Sequence, residues 1–312
     1  MKKKKNIINY SIKTILNIPK YFILGLQCLF SVEKQKELKI EKRIIPTIII
    51  TLSITTYLIS VFILTRWYVQ NERNKKFSDG LKEETKLIED KEKFIDEYKN
   101  LTTETTKTKK NNYKYYNNNN INFLNINLNQ YIRQNTETVA WIQVNGTNIS
   151  YPVVKHSDNE YYLNHDFYKR KTNIGWVFGD YRDNFDEYNN NTIIYAHNLV
   201  NRTMFGQLPF LLKKSWQSNP NNHYIKLSTK KENTIWKIFS VYRTKPTVDY
   251  LQSKFNSPEN YETFLNTIKK RSNYNFNVDL SATDYIITLS TCDDVGTHRV
   301  VVHAKLYKTQ TK

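Results

Sequence analysis

From Val139 onward, hydrophobic and polar positions form short runs that are typical of β-strands. Each run is rich in Val, Ile, Tyr and Trp and is bounded by polar turn residues. Several short strands separated by polar turns indicate a mainly β domain, built as a closed barrel or a sandwich. The predicted strands are residues 139–144, 147–154, 174–178, 192–196, 223–228, 234–242, 284–290 and 299–307.

Helices are predicted outside these runs. Leu81–Asn100 places its apolar residues on one face, with Lys and Glu elsewhere, as an amphipathic helix does. Asn127–Gln134 predicts a second helix, and Phe205–Leu212 predicts a short helical turn. Ser257-Pro258-Glu259 predicts the start of a helix to about Lys270, because Pro is favoured at the first helical position. Residues 101–120, rich in Thr, Lys and Asn, predict a flexible linker.

One long run, Ile44–Thr65, carries no charged residue. A helix needs about 20 apolar residues to cross a membrane, so this run predicts a transmembrane helix. Arg66-Trp67-Tyr68 behind it suits a membrane interface, and the basic N-terminus predicts a cytoplasmic N-terminus. Within residues 7–32, the shorter apolar stretch Tyr21–Val32 predicts an interfacial or re-entrant element.

These patterns divide the chain into four parts. A cytoplasmic basic and amphipathic segment (1–43) precedes the transmembrane helix (44–65). Extracellular helices and the Asn/Thr/Lys-rich linker (66–137) lead to the β domain (138–312). We therefore expect a single-pass protein of the cell membrane whose globular domain lies outside the cell.

The formal net charge of +18 bears on the choice of partner. Many Lys and Arg residues lie within residues 1–43, where membrane topology and anionic lipids explain them. The others are dispersed, so we expect a lipid membrane and no nucleic acid as partner. With 7 Gly and no Gly-rich phosphate loop, we expect no cofactor. The acidic segment 180–187 lacks the spacing of a calcium loop, which predicts a solvated loop and no metal.

Candidate chemistry gathers at the ends of three predicted strands. Cys292 follows one β-type run, Arg299 opens the next, and His197 ends an earlier one. If the strands are neighbours, these are the nucleophile, fixed cation and proton carrier of a cysteine acyl-transfer site. Cys28 and Cys292 lie on opposite sides of the predicted span, so Cys292 is expected to be an unpaired, reactive thiol.

Each candidate also has a structural interpretation. A free Cys is often a small buried side chain, a lone His is more often structural than catalytic, and Arg299 can be an ordinary strand-edge charge. His303 shares its strand face with Arg299 and is the second candidate for the proton carrier. Ser290, Thr291 and Asp293 lie at the same strand end and are candidate substrate contacts.

Thr288-Leu289-Ser290-Thr291-Cys292, with Arg299 at the next strand start and His197 earlier, resembles the sortases. These are membrane-anchored cysteine transpeptidases of Gram-positive bacteria. Class B is the most similar, and the likeness covers roughly residues 80–308. The segments that carry the class B likeness are 139–142, 151–154, 158–163, 289–292 and the helix-like insertion after residues 238–242.

The resemblance implies an eight-stranded sortase-type β-barrel with N-terminal helices and a helical insertion before the Cys strand, besides the transmembrane helix. It also implies that Cys292 attacks the Thr carbonyl of a C-terminal sorting motif in secreted proteins. A cell-wall amine, the peptidoglycan cross-bridge, would resolve the thioester, with His197 carrying protons and Arg299 binding the oxyanion. Two alternatives stay open: a pilin-polymerising sortase that uses a Lys amine, and a catalytically silent, membrane-tethered binding module.

Overall fold

The computed structural model describes residues 44–104, 121–292 and 298–312. The chain divides into two compact units, Met1–Gln70 and Asn71–Lys312. Several predictions lie outside the described residues: Cys28, the interfacial segment 7–32, linker residues 105–120 and Asp293.

The two helical stretches predicted over 44–65 and 81–100 are parts of one helix, α1 (Ile44–Glu104). The prediction of a linker from residue 101 was wrong for residues 101–104, which continue this helix. The polar stretch between 44–65 and 81–100 contains no Pro, so nothing forces a break. Gly80 lies in this stretch, and nothing is found within 4 Å of the position that its Cβ would take.

Among the described residues, α1 is the one helix that is long and apolar enough to cross a membrane, judged by length and composition. Its apolar side chains between Ile49 and Val69 are largely exposed. Ser and Thr hydroxyls along this stretch donate to backbone carbonyls three or four residues earlier, as Ser60 does to Thr56 at 2.8 Å. The polar atoms of these side chains are therefore bonded within the helix.

Eight strands form a closed barrel, so the predicted mainly β, eight-stranded barrel is confirmed. The strands are β1 (Thr138–Val144), β2 (Ser150–Val154), β3 (Phe178–Gly179), β4 (Asn191–Tyr195), β5 (Tyr224–Thr229), β6 (Glu232–Thr244), β7 (Ile286–Cys292) and β8 (Arg299–Thr311). Their order around the barrel is β1-β2-β3-β4-β7-β8-β6-β5. Neighbouring strands are antiparallel except for the parallel pairs β2–β3 and β4–β7.

Three short helices accompany the barrel: α2 (Asn129–Gln134), α3 (Lys214–Gln217) and α4 (Pro258–Lys270). The helical turn predicted over Phe205–Leu212 is a 3-10 helix over Leu208–Leu212. The predicted insertion before the Cys strand is α4, whose N-cap Ser257 accepts a hydrogen bond from the Asn260 amide at 3.2 Å.

Fully buried tryptophans anchor the packed core. Trp141, Trp176 and Trp236 are at most 1% exposed. Each indole N–H has an acceptor: Trp141 donates to Ser150 at 3.0 Å, Trp176 to the Pro152 carbonyl at 2.9 Å and Trp236 to Thr234 at 2.8 Å. Because a large buried aromatic with a bonded N–H packs in one orientation, these residues stabilise the core of the barrel.

Candidate active site

Three adjacent strands bring the predicted catalytic residues to one edge of the barrel. β4 and β7 run parallel with Tyr195 opposite Ser290, so His197 and Cys292 each follow that pair by two positions. β7 and β8 run antiparallel, and Cys292 is paired directly with Arg299. Since neighbouring strands lie about 4.8 Å apart, the backbones of all three candidates lie together.

His197 is held by a backbone carbonyl and by a glycine. Its Nε2 lies 2.8 Å from the Leu163 carbonyl oxygen. A carbonyl only accepts, so Nε2 carries the hydrogen in this contact and Nδ1 is the nitrogen left to exchange a proton. Gly175, at φ +62°, lies against the ring: a Cβ there would come within 2.8 Å of the His197 Cδ2 atom. Gly175 was missed in the sequence, although it is one of only 7 glycines.

Arg299 is oriented by a buried tyrosine that no sequence motif singled out. The Arg299 guanidinium donates to the Tyr250 hydroxyl at 3.3 Å, and that hydroxyl lies 2.9 Å from the Ser290 Oγ. Tyr250 is fully buried and belongs to the segment between β6 and α4. A chain of polar contacts therefore links β8, β7 and the segment between β6 and α4.

Two of the three predicted substrate contacts, Ser290 and Thr291, are buried, and the third, Asp293, lies outside the described residues. Ser290 is 2% and Thr291 is 3% exposed, so both side chains pack inside the fold, and the Ser290 hydroxyl bonds to Tyr250. Direct contact of these two residues with a substrate stays a prediction.

His303, the second candidate for the proton carrier, is a buried structural histidine. It has no exposed surface. Its Nδ1 lies 2.8 Å from the Thr288 Oγ1, and its Nε2 lies 3.0 Å from the Tyr242 hydroxyl. Burial lowers the pKa of His303 to about 3, so the ring is neutral at physiological pH. With both nitrogens engaged and no access to a substrate, His303 supports the barrel beneath the site.

The acidic segment after β3 is partly internal, so the prediction of a solvated loop was wrong at Asp180 and Asp183. Asp180 is fully buried and accepts hydrogen bonds from Arg182 at 2.7 Å and from the Tyr195 hydroxyl at 2.9 Å. Burial alone would raise the pKa of Asp180, but these bonds outweigh it and hold the pKa below its usual range. The Asp183 carboxylate accepts from the Ile193 amide of β4 at 2.6 Å.

This network fixes the end of β4 immediately before His197, because Tyr195 is two residues away. Arg182 also donates to the Leu251 carbonyl at 3.0 Å, which ties the network to the segment that carries Tyr250. Within the described part of the chain, no group of three or more His, Cys, Asp or Glu side chains is arranged to hold a metal ion.

Comparison with known proteins gives the family. Residues 142–307 match the family model of the sortase domain. The sortase B of Staphylococcus aureus is 35% identical over 177 residues, which is 56% of this chain and 72% of that protein.

Solved structures agree. The Staphylococcus aureus sortase B–substrate complex has a TM-score of 0.54 at 34% identity, over 57% of this chain and 83% of that one. A sortase B complexed with triglycine also has a TM-score of 0.54 at 34% identity, over 57% of this chain and 84% of that one. The chain therefore belongs to the sortase family and, within it, to class B.

Proposed function

We propose that this chain is a cysteine transpeptidase that cleaves a C-terminal sorting motif of secreted proteins and joins the product to a cell-wall amine. Three residues of different chemistry, Cys292, His197 and Arg299, meet at one barrel edge in a chain of the sortase family. That meeting is the observation that carries the proposal. It matches the parts that acyl transfer through a thioester requires.

In the first half-reaction, the Cys292 thiolate attacks the Thr carbonyl carbon of the sorting motif. A carbon–sulfur bond forms, the tetrahedral oxyanion collapses, and the carbon–nitrogen bond breaks. The leaving amine takes its proton from protonated His197 at Nδ1, the nitrogen not engaged with Leu163. The products are a thioester on Cys292 and the released C-terminal segment.

In the second half-reaction, an incoming amine attacks the thioester. Its proton passes to His197, the carbon–sulfur bond breaks, and a new amide forms while the thiolate returns. His197 thus ends protonated, ready for the next cycle. Triglycine as the ligand of a related sortase B supports a small, glycine-like cross-bridge amine as the acceptor.

Arg299 stabilises the oxyanion in both half-reactions. A guanidinium donates through a planar fork, and a preorganised donor aimed at developing charge is worth about 3–4 kcal/mol in the transition state. The hydroxyl of Tyr250 limits the freedom of this group before a substrate arrives.

The proposed location follows from the apolar part of α1. Residues 44–65 span the cell membrane, residues 1–43 lie in the cytoplasm, and residues 66–137 and the barrel (138–312) lie outside. Its length and composition support the span, and the basic N-terminal segment supports the orientation. An extracellular barrel has access to secreted proteins and to the peptidoglycan.

The test is turnover of a randomised library of Thr-containing sorting peptides with triglycine as acceptor. Cys292→Ala is expected to abolish both cleavage and transfer, while the melting temperature stays near that of the parent. Arg299→Lys keeps the charge but loses the planar fork, so kcat is expected to fall about a hundredfold. Normal turnover in Cys292→Ala would refute the transpeptidase assignment.

The same assay separates the alternatives. A catalytically silent binding module would bind the peptides and cleave none. A pilin-polymerising enzyme would leave the thioester unresolved by triglycine and would turn over only with a folded pilin that offers a Lys amine. Efficient transfer to triglycine is the outcome that cell-wall anchoring predicts.

A further inference from the structure

The part of α1 that belongs to the globular unit packs through polar side chains. Ser78 and Thr85 are buried on the same helix face as Leu81, at spacings of three and four residues. Near the start of this part, Asn71 accepts a hydrogen bond from the side chain of Asn201. Burying a hydroxyl costs free energy unless it is hydrogen-bonded, whereas an apolar side chain has no such requirement. Specific partners, and not burial alone, therefore determine how this segment packs.

The partner of Ser78 is Tyr151 on β2. Their oxygens are 2.8 Å apart, and both residues are at most 1% exposed. The Tyr151 hydroxyl also accepts a hydrogen bond from the Met204 amide at 3.1 Å. Burial raises the pKa of Tyr151 to about 12, so the phenol stays neutral and keeps both contacts at physiological pH. Tyr151 thereby joins α1 to the backbone of Met204.

Met204 lies at the base of the loop that begins with His197. It forms an isolated β-bridge with Asn198, the residue directly after His197. The next amide, that of Phe205, donates to the His197 carbonyl at 3.1 Å. Met204 also has a φ of +52°, a conformation that costs a non-glycine residue about 1 kcal/mol or more and persists only where neighbours hold it. The hydrogen bond from Met204 to Tyr151 is one such restraint.

We propose that residues 71–78 of α1 brace the loop 197–206, with Ser78 and Tyr151 as positioning residues for His197. The inference rests on the proposed role of His197 as proton carrier. Neither residue touches the substrate. They hold the backbone of Met204, which pairs with Asn198 and so keeps the two ends of the loop together. The position of the His197 imidazole depends on these loop ends. Displacing a catalytic group by about 1 Å costs up to a hundredfold in rate, so a small loosening is measurable.

Thr85 provides a matched control on the same helix face. Its hydroxyl lies 2.9 Å from that of Ser150 on β2, and Ser150 also accepts the Trp141 indole N–H at 3.0 Å. Thr85→Val removes a buried helix–barrel hydrogen bond of the same type as Ser78→Ala does. Among the described residues, however, the Ser150 hydroxyl contacts Thr85 and Trp141, neither of which lies in the loop 197–206. The two substitutions are expected to lower the melting temperature similarly.

The experiment measures kcat, KM and melting temperature for the full chain in detergent micelles, with a library-selected sorting peptide and triglycine. We expect kcat to fall about tenfold in Ser78→Ala and Tyr151→Phe with KM within about twofold of the parent, because His197 acts on bond breaking and not on binding. Thr85→Val should keep the parent kcat. Hydrogen exchange of the Met204 amide should be faster in the first two variants and unchanged in Thr85→Val.

If Ser78→Ala and Tyr151→Phe match Thr85→Val in kcat, or if all three lose kcat equally, the brace is refuted. Ser78→Ala removes a single oxygen, so it decides the matter even if Tyr151→Phe fails to fold. Cys292→Ala, run in parallel, distinguishes a failure of the proposed function from a failure of the brace. An active Cys292→Ala overturns the proposed function, whereas an inactive Cys292→Ala beside fully active Ser78→Ala overturns only the brace.

Discussion

At the residue scale, Gly175 leaves no room for a side chain. A Cβ at this position would lie 2.6 Å from the Tyr162 carbonyl oxygen and 2.8 Å from the His197 ring, and its φ of +62° disfavours any other residue. Gly175→Ala is expected to destabilise the fold by about 1–3 kcal/mol and to lower kcat at least about tenfold, because the imidazole must move. Denaturant unfolding and peptide turnover measure both effects.

Gly80→Ala is the control for Gly175→Ala. Nothing lies within 4 Å of the Cβ position at Gly80, and the residue is inside α1. Ala is expected to stabilise this helix by about 0.5–1 kcal/mol with no change in kcat. Equal effects of the two substitutions on turnover would contradict the role given to Gly175.

Tyr250 gives a second prediction at this scale. Tyr250→Phe removes the hydroxyl that Arg299 donates to and that Ser290 contacts, while the ring stays in the core. We expect kcat to fall about threefold to tenfold, since Arg299 becomes less well oriented toward the oxyanion. Tyr285→Phe, at a tyrosine that is 46% exposed, should leave kcat unchanged. A normal kcat in Tyr250→Phe would show that Arg299 does not depend on this contact.

At the scale of elements, Asp183 ties the acidic loop to β4 through the Ile193 amide. Burial raises the pKa of Asp183 from 3.8 to about 6. The folded state therefore binds this proton more tightly than the unfolded state, and the resulting stability is present below pH 3.8 and lost as the pH rises through about 6. Over that window, the unfolding free energy of the parent should fall by about 2–3 kcal/mol relative to Asp183→Asn.

Denaturant titrations of both proteins between about pH 4 and pH 7 provide the measurement, and the difference between them isolates Asp183 from the other carboxylates. A difference that does not change with pH would contradict the burial assigned to this carboxylate.

The elements were largely predictable from the sequence, because apolar runs with polar turns leave few alternatives to strands. β3 is the exception: the prediction of 174–178 became Phe178–Gly179. Gly175 takes a positive φ, and the Trp176 amide bonds to the Tyr162 carbonyl instead of to a neighbouring strand. β8 continues to Thr311, beyond the predicted end at 307, because its polar end pairs with β6. Such pairing leaves no hydrophobic pattern in the sequence.

The candidate site was predictable in part. Cys292, Arg299 and His197 lie at strand ends, and a motif marks that position. Tyr250 could not be found, since it is one of 23 tyrosines and lies 49 positions from Arg299 in the chain. The fold alone brings the two side chains together. Contacts between residues far apart in the chain depend on strand order, which the local pattern does not contain.

At the scale of the whole molecule, the proposed topology has the barrel outside the cell and the N-terminus inside. Protease added to intact protoplasts is expected to digest the barrel and to spare an N-terminal tag, because the span and its basic flank set this orientation. Immunoblotting against the tag and the barrel provides the readout, and permeabilised cells are the control. A protected barrel in intact protoplasts would reverse the topology and exclude cell-wall chemistry.

The proposed function requires that Cys292 carries the substrate as a thioester. The most direct measurement is intact-mass spectrometry. The full chain is mixed with an intact sorting peptide that it cleaves, without an amine acceptor, and the reaction is quenched in acid. We expect a mass gain equal to the acyl fragment, mapped to the peptide that contains Cys292 and removed by hydroxylamine. Cleavage with no adduct, or an adduct that persists in Cys292→Ala, would contradict the proposed function.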